Sequence, residues 1–143
     1  MYALVQGYRA RHSWKGPIVL HAPETLRQYA LIADGERGAL VGPEGDLAFL
    51  CAPRWHDDAV FSTLLGGPGS YALAPHEKRH VWGGHYEQDS LIWRSRWVTT
   101  TSVIESRDAL AFPGDPSLVV VLRRVEAVHG DAHVREHLRR PTH

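Results

Sequence analysis

Of the 143 residues only one is cysteine and one methionine, and 16 basic residues are matched by 16 acidic ones. The lone Cys51 excludes an internal disulfide, and with Leu50 and Ala52 beside it an inert buried thiol in a reduced, cytoplasmic setting is expected. A formal net charge of zero removes any electrostatic case for nucleic acid or an anionic membrane surface. The first seven residues, MYALVQG, lack the basic start and apolar stretch of a signal peptide. The longest aliphatic run is Leu118 to Leu122, far too short for a membrane-crossing helix. No nucleophile elbow, no phosphate-cradling glycine loop before a helix, no repeat and no heptad pattern occurs.

What is present reads as one domain, residues 1–143, long enough to bury a core. A 43% hydrophobic content beside 22% charged residues is ordinary for a globular chain. The densest signals run from Tyr29 to Leu65. Gly38 to Val41 and Leu47 to Ala52 are apolar runs separated by Gly42-Pro43-Glu44-Gly45, which predicts a hairpin. The second run does not alternate and is expected to be a central strand buried on both faces. Pro53 ends it. Asp57 or Asp58 then caps a short helix over 59–65, with Val60, Phe61, Leu64 and Leu65 on one side and Gly66-Gly67-Pro68 as the stop.

Elsewhere short strands alternate with glycine and proline turns. Ala3 to Val5 and Ile18 to Leu20 read as edge strands, Ser70 to Ala74 as a strand closed by Pro75. From Asp89 to Val98, Leu91, Trp93, Ser95 and Trp97 share one face, and Thr99-Thr100-Thr101 turns into Ser102 to Ser106. Two prolines make 111–116 a loop, Leu118 to Val128 is a buried strand, and His129-Gly130-Asp131 turns it back into Ala132 to Leu138. The expected fold is therefore all-β, an antiparallel β-sandwich with one short helix.

The string from Tyr29 to Leu65 also resembles a known family. Tyr29, Ala30, Leu31, Ile32, Asp34, Gly35, Ala39, Leu40, Val41, Gly45, Leu50, Cys51, Pro53, Arg54, Ala59, Val60, Phe61, Leu64 and Leu65 match, in order, the N-terminal domain of bacterial trehalases and glucoamylases of glycoside hydrolase family 15. Residues 86–97 and 118–134 look like later strands of the same domain, so the likeness covers about 26–140. It implies a large sandwich of the galactose-mutarotase kind, here incomplete, ahead of an (α/α)6 catalytic barrel that carries two catalytic glutamates and is absent from this chain. The complete enzyme would cleave an α-glucosidic bond with inversion. The chain departs from the family at Ala48 and Phe49, where an acid and an indole are usual, and at Trp55 and His56.

The candidate site follows from that stretch. Arg54, Trp55, His56 and Asp57 form a compact cationic, aromatic and polar loop able to stack on a pyranose ring and bond its hydroxyls. Its bland counterpart is a capped helix start with Arg54 paired to a carboxylate and Trp55 filling the core. Trp82, Trp93 and Trp97 read as sheet core or as an aromatic platform. His129, His133 and His137 have helical metal spacing, but Gly130-Asp131 breaks a helix, so no metal and no cofactor is expected. No carboxylate pair sits in a catalytic pattern and the isolated chain is expected to be inactive. Expected partners are the (α/α)6 domain in cis or trans, an α-glucoside sugar, and a second copy paired through an exposed sheet edge. The alternative is a stand-alone carbohydrate-binding or protein-interaction module.

Overall fold

A computed structural model describes residues 24–112 and 114–139, and residues 2–6 for their backbone. Among the described residues eleven strands are formed: β1 (Tyr2–Gln6), β2 (Ala30–Ala33), β3 (Gly38–Val41), β4 (Leu47–Cys51), β5 (Ala59–Phe61), β6 (Ser70–Pro75), β7 (Val81–Tyr86), β8 (Trp93–Val98), β9 (Val103–Ala111), β10 (Val120–His129) and β11 (Val134–Arg139). The main sheet has the order β1-β10-β9-β8-β7, the second β2-β3-β4-β5, and β11-β6 is a two-stranded ribbon. All pairings are antiparallel except β1 with β10. The strand β2 lies against β8 and β9, while β4 and β5 meet β6, so the layers form an antiparallel sandwich.

The hairpin at residues 42–45 forms as expected, with the Gly45 amide donating to the Gly42 carbonyl at 3.0 Å. Gly45 is required there twice over. Its φ is +64°, and a Cβ would sit 2.0 Å from the Leu73 carbonyl oxygen. That approach lets the Leu73 amide reach the Gly45 carbonyl at 3.2 Å, joining the ribbon to the second sheet. The β4 strand is interior to its sheet, and all its residues but Phe49 are buried.

Two expectations need correction. The helix over 59–65 does not form: Ala59 to Phe61 is β5, paired Leu50 with Phe61 and Cys51 with Ala59, followed by a single 3₁₀ turn at Thr63–Leu65. A seven-residue segment is too short to hold a helix by itself, and the open edge of β4 offers ladder bonds instead. Asp57 is engaged with Arg54 rather than acting as a cap. The second correction concerns β11, which does not fold back on β10. Both edges of β10 are already occupied by β1 and β9, so the chain after Gly130 crosses to β6, beginning with the His76 amide on the His133 carbonyl at 2.8 Å. The segment Ile18 to Leu20 lies outside the described residues.

Smaller differences concern strand limits. Residues 87–92 are a loop before β8, closed by the Glu87 amide on the Ile92 carbonyl and turned by Asp89 at φ 55°. The strand β9 runs on to Ala111, well past Ser106.

The interior is divided. One apolar cluster gathers Ile32, Val41, Leu50, Phe61, Tyr71, Trp93, Leu110 and Val121. A second holds Leu73, Trp97, Ile104 and Val125. Trp93 and Trp97 are thus core and no platform, and Trp82 is half-buried against both clusters. Between the clusters, Ser95, Ser106, Asp108 and Arg123 are fully buried. Arg123 Nε donates to Asp108 Oδ1 at 2.6 Å and its second arm reaches Oδ2 at 3.2 Å. The Ser106 hydroxyl donates to the same carboxylate at 2.9 Å. The guanidinium lies 4.9 Å from the centroid of the Tyr71 ring, whose hydroxyl donates to Glu136 at 2.8 Å. Burial pushes the Tyr71 phenol upward against the lowering pull of Arg123, so it remains a neutral donor.

Removing one partner of such a pair leaves an uncompensated buried charge, whereas removing both restores an apolar interior. Arg123→Met is expected to cost about 3–5 kcal/mol in urea unfolding, and Asp108→Leu combined with Arg123→Met is expected to regain most of that loss. A double variant no more stable than the single one would show that the pair stabilises the fold outright.

Candidate functional site: the loop between β4 and β5

The four predicted site residues occupy one turn between Cys51 and Ala59. Asp57 organises it. Its Oδ2 accepts from the Arg54 amide at 2.9 Å and from Arg54 Nε at 3.0 Å, and its Oδ1 accepts from the far guanidinium nitrogen at 3.2 Å. The Asp57 amide closes the turn on the Arg54 carbonyl at 3.1 Å. Arg54 and Asp57 thereby bond each other, and Arg54, Trp55 and His56 are all exposed.

Trp55 does not fill the core: it is 51% exposed. Its ring lies over Gly38, where a Cβ would come within 2.5 Å of the indole and 2.9 Å of the Leu31 side chain. The glycine gives the indole a flat seat on β3. Leu31, Leu40 and Phe49 stand in register across β2, β3 and β4 on the outward side, so the indole borders an apolar surface.

The loop is braced from below by residues that sequence reasoning missed. Arg37 and Asp34, in the turn between β2 and β3, are both buried at the side chain and joined at 3.0 Å. Asp34 also accepts from the Glu36 and Arg37 amides. The same Arg37 guanidinium donates to the Pro53 carbonyl at 3.3 Å, to Leu118 at 2.7 Å and to Pro116 at 3.5 Å. Asp34 and Gly35 stood out only as positions of the family resemblance, and nothing local marks Arg37 as an anchor for chain 16 to 81 residues away.

A general acid requires a carboxyl held protonated near neutral pH. Hydrogen bonds from Arg54 hold the Asp57 carboxyl below its ordinary range. Glu77, Glu87 and Asp115 are likewise lowered, by hydrogen bonds from Thr100, Arg107 and Ser117 respectively. Cys51, beneath the loop, is buried, and that burial, with Asp57 and Asp58 nearby, raises its thiol and keeps it unreactive. His129 ends β10, His133 precedes β11 and His137 lies within it. Among the described residues no three potential ligands gather around a metal position.

Because the folded Asp57 pKa is depressed, its stabilisation is complete above the ordinary carboxylate value of about 3.9 and is lost as pH falls through the lower folded value. In an NMR titration the Asp57 carboxyl is expected to titrate below the free residue, and in Arg54→Ala it returns to the ordinary range. An unchanged midpoint in that variant would remove Arg54 as the cause.

The family described as "Trehalase-like, N-terminal" matches residues 10–136. The trehalase of Mycobacterium tuberculosis (strain ATCC 25618 / H37Rv) is 31% identical over 102 residues, 66% of this chain and 15% of that protein. The trehalase of Mycolicibacterium smegmatis (strain ATCC 700084 / mc(2)155) is 30% identical over 96 residues, 66% of this chain and 14% of that protein. The chain thus covers only a small part of the length of the curated relatives it matches, 14 to 15%. No solved structure matches significantly. On the family match across residues 10–136, the chain belongs to the trehalase-like N-terminal domain family.

Proposed function

We propose that this sandwich is the non-catalytic N-terminal domain of a cytoplasmic trehalase- or glucoamylase-like glycoside hydrolase. In this reading it supports an (α/α)6 catalytic domain, in cis or in trans, and lends the Arg54–Asp57 loop to the rim of the substrate pocket. The reaction of the whole enzyme would be inverting hydrolysis of an α-glucosidic bond, with both catalytic carboxylates on the barrel.

The observation that carries the reading is the half-exposed Trp55 on its Gly38 seat, within a chain matched to that family over residues 10–136. An indole face beside an imidazole suits a pyranose, which presents apolar C–H groups on its face and hydroxyls at its edge. The Arg54 and Asp57 clamp keeps the turn pre-organised, so little ordering cost falls on binding. The lowered carboxyls of Asp57, Glu77, Glu87 and Asp115 do not suit a general acid, which supports a non-catalytic role.

The same exposed indole also suits a free-standing carbohydrate-binding module, and titration separates the two readings. With purified chain and trehalose, maltose or maltotriose, the domain reading expects no turnover and no localised NMR shifts at millimolar sugar. Shifts confined to Trp55 and His56 that vanish in Trp55→Ala would favour the free-standing module. In an enzyme carrying this sandwich, Trp55→Ala is expected to raise KM about tenfold, equivalent to about 1.4 kcal/mol, with kcat little changed. Hydrolysis by the isolated chain would overturn the proposal.

A further inference from the structure

The open edges of the sandwich are not equally protected. An unpaired strand edge presents free N–H and C=O groups to any other strand, and native proteins blunt such edges with short strands, charges, prolines or covering groups. The outer edge of β2 is covered: the Tyr86 hydroxyl accepts from the Leu31 amide at 2.8 Å and donates to the Leu31 carbonyl at 3.1 Å. The β5 edge is three residues long and adjoins β6. The β11 edge carries Arg135, Glu136, His137 and Arg139.

The β7 edge has none of these devices. Its six residues, VWGGHY, include no proline, lysine, arginine or acid, and its pairing with β8 runs from Val81–Val98 to Tyr86–Trp93 without a bulge. Among the described residues β8 is its one neighbour. Val81 is 73% exposed and Tyr86 41% exposed. A side chain added at Gly83 would meet nothing within 4 Å.

We infer that β7 pairs antiparallel with β7 of a second copy of this chain, joining two five-stranded sheets into one continuous sheet across a two-fold axis at Gly84. The strand is self-complementary about that point. Directly opposed residues of an antiparallel pair share a face, with Cα atoms about 4.5–5.5 Å apart. Centring on Gly84 sets Trp82 against Tyr86 of the second copy, twice, on the inward face. There Trp82 and Tyr86 already flank Trp93, with ring centroids 6.4 and 4.9 Å away. On the outward face the bare Gly83 receives His85 of the second copy. Exposed Arg79 and exposed Asp89 lie just outside opposite ends of the strand, so the antiparallel pairing brings opposite charges to the same end of the joint, twice. The occupant argued for is therefore another copy, because each half of the edge supplies what the other half lacks. This inference is independent of the sugar-binding reading.

The test is the mass of the purified 143-residue chain by light scattering over a wide concentration range. A monomer of 16.0 kDa is expected to give way to a species of twice that mass as concentration rises. Gly83→Lys adds a charge to the edge in open space beside Arg96 and is expected to keep the protein monomeric, with unchanged circular dichroism and melting. Gly83→Cys combined with His85→Cys is expected to give a covalent dimer on mild oxidation, since the native Cys51 is buried. A wild-type chain that stays monomeric into the high micromolar range overturns the proposal. So does a dimer that survives Gly83→Lys, or one that the paired cysteines fail to cross-link.

Discussion

The ion pair between Asp108 and Arg123 is the constraint around which the interior is arranged. A charge pair with no solvent exposure is tolerated only when its geometry and hydrogen bonds are nearly complete. That requirement fixes the pairing of β9 with β10, where the two residues stand directly opposite, because a slip of one residue would put the two charges on opposite faces of the sheet. It also fixes where the ribbon of β6 and β11 sits, since the Tyr71 ring covers the guanidinium and is held by Glu136. The two apolar clusters are separated by this belt.

The architecture was legible wherever a pattern depends on neighbours in sequence. Alternation through Trp93, Ser95 and Trp97 marks the inward face of β8, and Pro43 with Gly45 marks the hairpin. What failed depended on partners distant in the chain. The apolar residues of 59–65 fit a helical face as well as a strand, and only the vacant edge of β4 decides between them. The course of β11 depends on β1 having taken the free side of β10, an event more than a hundred residues upstream. The buried belt was missed for another reason: Arg123 and Asp108 look like surface residues until the alternation of their strands is followed strictly. Val121 and Val125 flank Arg123 on one face, and Ile104, Ser106 and Leu110 share the face of Asp108.

At the candidate loop the pairing of Arg54 with a carboxylate was legible and the exposure of Trp55 was not. Arg54 and Asp57 carry opposite charges three positions apart, and the turn brings them together. The exposure of Trp55 follows from Gly38, whose missing side chain makes room for an indole beside the sheet. The outer face of the main sheet is polar by contrast. There Glu87 holds Arg94 and Arg107, while Glu105 receives Arg94 and Arg96. That network sets three arginines against two glutamates, so the two outer surfaces of the sandwich differ in character, one laced with ion pairs and one presenting an aromatic ring at an apolar border.

Arg37 gives that arrangement a mechanical meaning. One guanidinium grips the carbonyl at the base of the Trp55 loop and two carbonyls of the connection from β9 to β10. The hand that holds one loop holds the other, and Asp34 fixes the wrist. A pull on the loop that carries the indole therefore bears directly on the Leu118 carbonyl, because one nitrogen of Arg37 bonds both loops and ties them into one body.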